Sequence, residues 1–154
     1  MDNTTQKIIN SISENARVLD LGCGDGKLLA QLTETKSING YGIDIEFENI
    51  LECINRNISV YQGDIEEGLK EFPDQSFDYV ILSQTLQEIQ NPITVLKEMI
   101  RVGKKGIVTF PNFAFWKARL QFLRGIPPKT PSLPYDWYNT PNIRVVSIES
   151  FKLM

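Results

Sequence analysis

Five short runs of aliphatic and β-branched residues punctuate the chain, at 17–21, 41–45, 58–62, 79–83 and 106–110. Within each run the apolar positions are nearly continuous rather than alternating, which is the pattern of strands covered on both faces. Stretches with helical spacing lie between them at 27–35, 47–56 and 93–102. The last follows Asn91-Pro92 and sets Ile93, Leu96 and Ile100 on one side, with Met99 beside them. Strand and helix alternating in this way predict a doubly wound α/β fold with a mostly parallel sheet and right-handed crossovers.

After Phe110 the pattern changes. Residues 113–124 read as an amphipathic helix, with Phe113, Trp116, Leu120 and Leu123 on one stripe and Lys117, Gln121 and Arg124 opposite. Residues 126–142 then hold five of the eight prolines together with Tyr135, Trp137 and Tyr138, a stiff aromatic loop of the kind that covers a site. Residues 143–146 read as a short strand, and Ser147 as the cap of a final helix that the sequence leaves at Met154. The expected organisation is one domain, with a core at 1–112, a helix and loop at 113–142 and a C-terminal element at 143–154.

A chain of 154 residues with 42% apolar residues can bury one core. No apolar run approaches the ~20 residues needed to span a bilayer, and residues 1–10 are polar, so a soluble cytoplasmic protein is expected. Two cysteines, Cys23 and Cys53, imply no disulfide framework. The net charge is −3, but residues 1–98 hold seventeen acids against seven bases, whereas residues 99–135 hold seven bases and no acid. This basic third can steer an acidic partner or anionic ligand, while the overall acidic balance argues against nucleic acid. The chain has no histidine, which removes histidine-dependent triads, histidine bases and most transition-metal sites.

The strongest motif is Asp20-Leu21-Gly22-Cys23-Gly24-Asp25-Gly26, where a strand ends in a carboxylate and three alternate glycines follow. Glycine there lets the backbone turn tightly and approach a ligand. The spacing is Gly-x-Gly-x-Gly after an acid, rather than the Gly-x-Gly-x-x-Gly of dinucleotide sites. It suits the methionine end of S-adenosylmethionine, whose ammonium and carboxylate complement Asp20, loop carbonyls and N–H groups.

Asp44 ends the second run, where an acid can accept both hydroxyls of a ribose, with Glu46 as the alternative. Ile45 either flanks the adenine or is an ordinary buried strand residue. Gly63-Asp64-Ile65 follows the third run and either meets the adenine amino group and ring or simply makes a turn. Ser83 and Gln84, after the fourth, either face the reacting end of the ligand or close the strand with no chemical duty.

These motifs make the chain resemble the methionine-biosynthesis protein MetW family, a branch of the class I methyltransferases, over essentially its full length. The glycine loop, Gly40-Tyr41-Gly42-Ile43-Asp44-Ile45-Glu46 and Gln62-Gly63-Asp64 are superfamily features. The family-specific segments are 72–86, Phe110-Pro111-Asn112-Phe113 and 132–143, including Pro134-Tyr135-Asp136-Trp137-Tyr138. The resemblance implies a Rossmann-like sheet of order 3-2-1-4-5. Family members are typically longer at the C-terminus, and because this sequence departs by stopping inside the expected last helix, the final strand pair of a seven-stranded sheet is expected to be missing. It also implies S-adenosyl-L-methionine as cofactor and a homoserine O-acyltransferase as partner. The cofactor-binding set is Asp20, Gly22, Cys23, Gly24, Gly26, Asp44, Ile45, Asp64, Ile65 and Ser83.

Two functions fit. One is an accessory, cofactor-sensing protein that meets the acyltransferase through its basic aromatic third. The other is an active methyltransferase on a small molecule, with Glu88, Tyr135, Asp136 or Tyr138 as helpers. Sulfonium displacement needs positioning more than a strong base, so the absence of histidine is no obstacle. An enclosed pocket beside Ser83 favours catalysis; outward-facing aromatics favour docking.

Overall fold

A computed structural model describes residues 3–154. Helix α1 (Asn3–Ser11) leads into β1 (Arg17–Leu21), followed by α2 (Lys27–Lys36), β2 (Asn39–Asp44), α3 (Phe47–Asn55) and β3 (Ser59–Gln62). A short 3-10 turn at Ile65–Glu67 precedes β4 (Tyr79–Ser83), α4 (Pro92–Val102) and β5 (Gly106–Thr109); α5 (Trp116–Leu123) and α6 (Ile148–Lys152) complete the chain. The five strands form one sheet of order β3-β2-β1-β4-β5, every pair parallel, as the alternation of runs predicts.

Period-two geometry explains why the central runs are continuously apolar. Val18 of β1 and Tyr79 and Ile81 of β4 face Ile8, Ile12, Leu29 and Leu32 in one core. Leu19, Leu21, Val80 and Leu82 face Val95 and Met99 in the other. Each side chain alternates between covered faces. Full burial of a Leu or Val contributes about 1.5–3 kcal/mol, so these two layers dominate stability.

Three expectations are corrected, and one helix is added to them. Strand β3 is mostly exposed and β5 only partly buried, because sheet edges receive less helical cover than the centre. The 113–124 helix is shorter, and the stripe drawn through Phe113, Trp116, Leu120 and Leu123 is not its buried face: Ala118 packs inward, while Trp116 is 62% and Leu123 85% exposed. Residues 143–146 form no strand. Their backbone is engaged singly instead, Val146 accepting from the Phe113 N–H and Ile143 and Arg144 donating to the Gln87 carbonyl, so among the described residues nothing pairs with the outer edge of β5. Helix α1 was not foreseen; it buries Ile8 and Ile9.

Ser147 does cap α6, through a reciprocal capping box with Ser150. No described helix is long and apolar enough to cross a membrane.

Candidate functional site

Where β1 ends, the chain must turn sharply into α2, and Gly22, Gly24 and Gly26 all take left-handed φ values of 70°, 55° and 73°. Gly22 has a second reason to lack a side chain: a Cβ there would stand 2.8 Å from the Thr85 hydroxyl. The Gly22 and Cys23 N–H groups donate to the Ile43 carbonyl at 2.8 and 3.0 Å, fixing the loop to β2. Asp44 completes the tie. Its Oδ2 accepts from the Gly24 N–H at 2.7 Å, and its Oδ1 accepts from the Glu46 N–H at 3.0 Å and the Asn49 amide at 2.9 Å.

At the carboxyl edge of the sheet these ends surround a recess of about 490 Å3, within the ~300–1,000 Å3 usual for ligand clefts. Gly22, Asp44, Ile45, Asp64, Ile65 and Ser83 line it together. Ile45 is 58% exposed, so it is not an interior strand residue. The Asp64 carboxylate accepts from the Glu66 N–H at 2.8 Å and caps the 3-10 turn, which gives Asp64 a structural duty beside any binding one. Glu66 in turn accepts from the N–H groups of Gln90 and Asn91, so the turn after β3 is joined to the start of α4. Ser83 and Thr109 hydroxyls lie 3.0 Å apart.

Asp20, Cys23, Gly24 and Gly26 support the recess from behind rather than lining it. Asp20 is 2% exposed, and its Oδ1 is buried without a hydrogen-bond partner. Burial, then the charge of Asp44, push its carboxyl up to about 7. Cys23 faces Cys53 at 3.8 Å, and burial raises both thiols above their ordinary range, Cys23 well above it, so they act as packing under the glycine loop rather than as nucleophiles.

The lining is one-sided in charge. Asp44, Glu46, Asp64, Glu66 and Glu88 all contribute, and among the described residues no lysine or arginine does. Asn49 and Thr85 were missed in the sequence. Asn49 carried a usable signal, since the third residue of a helix following a strand-end acid can reach back to it. The aromatic loop meets the expectation only in part: Trp137 and Tyr138 are 75% and 71% exposed, yet Tyr135 also lines recesses. Among the described residues no group of three or more His, Cys, Asp or Glu side chains could hold a metal ion.

A family model for methionine biosynthesis protein MetW matches residues 2–154. The chain belongs to the MetW family. It is 40% identical over 153 residues to the bifunctional methionine biosynthesis protein MetXA/MetW of Rhodopirellula baltica, covering 93% of this chain and 25% of that protein. It is 33% identical over 109 residues to a demethylmenaquinone methyltransferase of Geobacillus kaustophilus, covering 64% of this chain and 45% of the relative. This MetW chain therefore spans a quarter to just under half the length of these relatives. A SAM-dependent methyltransferase from Archaeoglobus fulgidus shares the fold at TM-score 0.76 and 22% identity, over 97% of this chain and 63% of that one. One from Thermotoga maritima does so at TM-score 0.70 and 22% identity, over 96% and 65%.

Proposed function

We propose that the carboxyl-edge recess binds S-adenosylmethionine and that the chain acts in methionine biosynthesis alongside a homoserine O-acyltransferase. One observation carries the cofactor reading: five acidic residues and no base line a recess that follows a glycine loop. A dinucleotide would bring two pyrophosphate charges against those carboxylates with nothing to offset them. S-adenosylmethionine brings a sulfonium and an ammonium against one carboxylate, the charge balance this wall favours. Asp44 would hold the ribose hydroxyls, Asp64 the adenine amino group, and Ile45 and Ile65 the ring faces. The glycine loop would take the methionine end, over the unpartnered Asp20 oxygen. Bound there, the group supplies an electrophilic methyl.

The partner reading is supported by the relative in which MetXA and MetW occur in one protein. It is also supported by the exposed surface of α5, where Trp116, Leu120 and Leu123 stand among Lys117, Arg119 and Arg124. Calorimetry with S-adenosylmethionine, S-adenosylhomocysteine and NADH, with and without the acyltransferase, tests both parts. One-site binding of the first two and none of NADH is expected; NADH binding at comparable strength would end the cofactor reading.

A second reading, an active methyltransferase, is favoured by a further recess that adjoins the first at Gln84 and Glu88.

A further inference from the structure

That adjoining recess has a volume of about 420 Å3. Gln84, Gln87 and Glu88 wall one side, Pro131, Pro134 and Tyr135 of the aromatic loop the other. Two features set the chemistry it accepts. The first is charge: among the described residues Glu88 is the one acidic lining residue and no lysine or arginine lines the space. Among the described residues no cation pairs with Glu88, which is exposed; the Gln87 amide donates to it at 3.3 Å, and the desolvation it meets at the recess outweighs that bond and raises its carboxyl above the ordinary value. The second is a hydrogen-bond imbalance. Gln87 is 3% exposed and its Nε2 is committed to the Gln84 carbonyl and to Glu88, while its Oε1 is buried with no donor. A buried acceptor without a donor is rare in native proteins and calls for a partner.

We infer that this second recess holds a small polar compound bearing a protonatable amine, with Glu88 as counter-charge and the Gln87 side-chain oxygen as a further acceptor. Carboxylates and phosphates are disfavoured, because they would face Glu88 with no base to compensate. That this compound is a substrate rests on the methyltransferase reading above. Its preference for cations rests on the recess alone.

Three probes that share a hydroxyl and differ in charge separate the possibilities: ethanolammonium, ethylene glycol and glycolate. Each is titrated into the 15N-labelled full chain, alone and with S-adenosylhomocysteine. Ethanolammonium is expected to shift the amides of Gln84, Glu88, Ser132 and Tyr135 saturably, with glycolate leaving them unmoved. Glu88→Gln, which keeps shape and removes charge, is expected to weaken ethanolammonium about fivefold, the size of a partly exposed ion pair. Equal response to ethanolammonium and glycolate, or ethanolammonium shifts confined to Asp44 and Asp64, would overturn the inference. Failure of the cofactor reading looks different: S-adenosylhomocysteine would leave Asp44 and Asp64 unmoved while ethanolammonium still marks the second recess.

Discussion

The Asp44 carboxylate accepts a hydrogen bond from the Gly24 backbone N–H at 2.7 Å, so the residue assigned to the ribose also holds the glycine loop in place. Asp44→Ala should therefore fail in two ways. Loss of the ribose acceptor should weaken cofactor by about 2–3 kcal/mol, or ~30-fold to 150-fold. Release of Gly24, Glu46 and Asn49 should also lower stability. Calorimetry and urea unfolding on the same variant separate the two, and unchanged cofactor affinity would remove Asp44 from the site.

On the proposed assignment, Asp20 should make cofactor binding depend on pH. Its folded-state value of about 7 lies above the 3.8 of a free carboxyl. Between those values the folded chain holds the proton more tightly than the unfolded one, so this group's contribution to stability declines as pH rises from about 4 to 7. A cationic ligand favours the ionised form. Affinity should thus rise from pH 6 to 8, and binding near pH 6.5 should release a proton. Calorimetry in two buffers of different ionisation enthalpy measures that release; proton uptake would contradict the assignment.

Charge reversal at Lys117, Arg119 and Arg124 is expected to leave cofactor binding intact and to weaken association with the acyltransferase, most at low salt. All three are exposed, and none is ion-paired among the described residues. Their effect should act through steering, which ionic strength screens. Lost cofactor binding with an intact partner contact would instead make α5 a cover over the site.

Gly26 and Cys53 should behave as a coupled pair. A Cβ at Gly26 would stand 2.8 Å from the Cys53 sulfur, at φ 73°. Gly26→Ala should cost about 2–4 kcal/mol in urea unfolding, from left-handed strain and overpacking together. Adding Cys53→Ala should restore part of that loss, and strictly additive costs would show that the contact is unimportant.

The sheet was legible because its central strands are buried on both faces, which leaves a continuous signature no helix in this chain imitates. The glycine loop, Asp44 and Asp64 were legible because strand ends recur at regular intervals and each carries its polar residue just there. Helix α1 was not, since Asn3–Ser11 is polar except for Ile8 and Ile9, too few to define a period. The face of α5 was misread for another reason: periodicity shows that a helix has two sides, but not which one is covered. Here small Ala118 meets the protein, whereas Trp116 and Leu123 do not. The second recess was invisible because Thr4, Glu88 and Pro134 are brought together only by the path of the chain.

Arg144 has a consequence that reaches well beyond its own position. Its guanidinium donates to the carbonyls of Ile89 and Gln90, and its backbone N–H, with that of Ile143, donates to the carbonyl of Gln87. The segment it grips is the partition between the two recesses. Local opening of that partition requires these bonds to break together, so its amides should exchange with solvent at the pace of residues 143–146 rather than of a free loop. Anything that pulls residues 143–146 away, a docked protein included, should loosen both recesses at once, so the lifetime of any ligand held there would depend on residues that line neither recess.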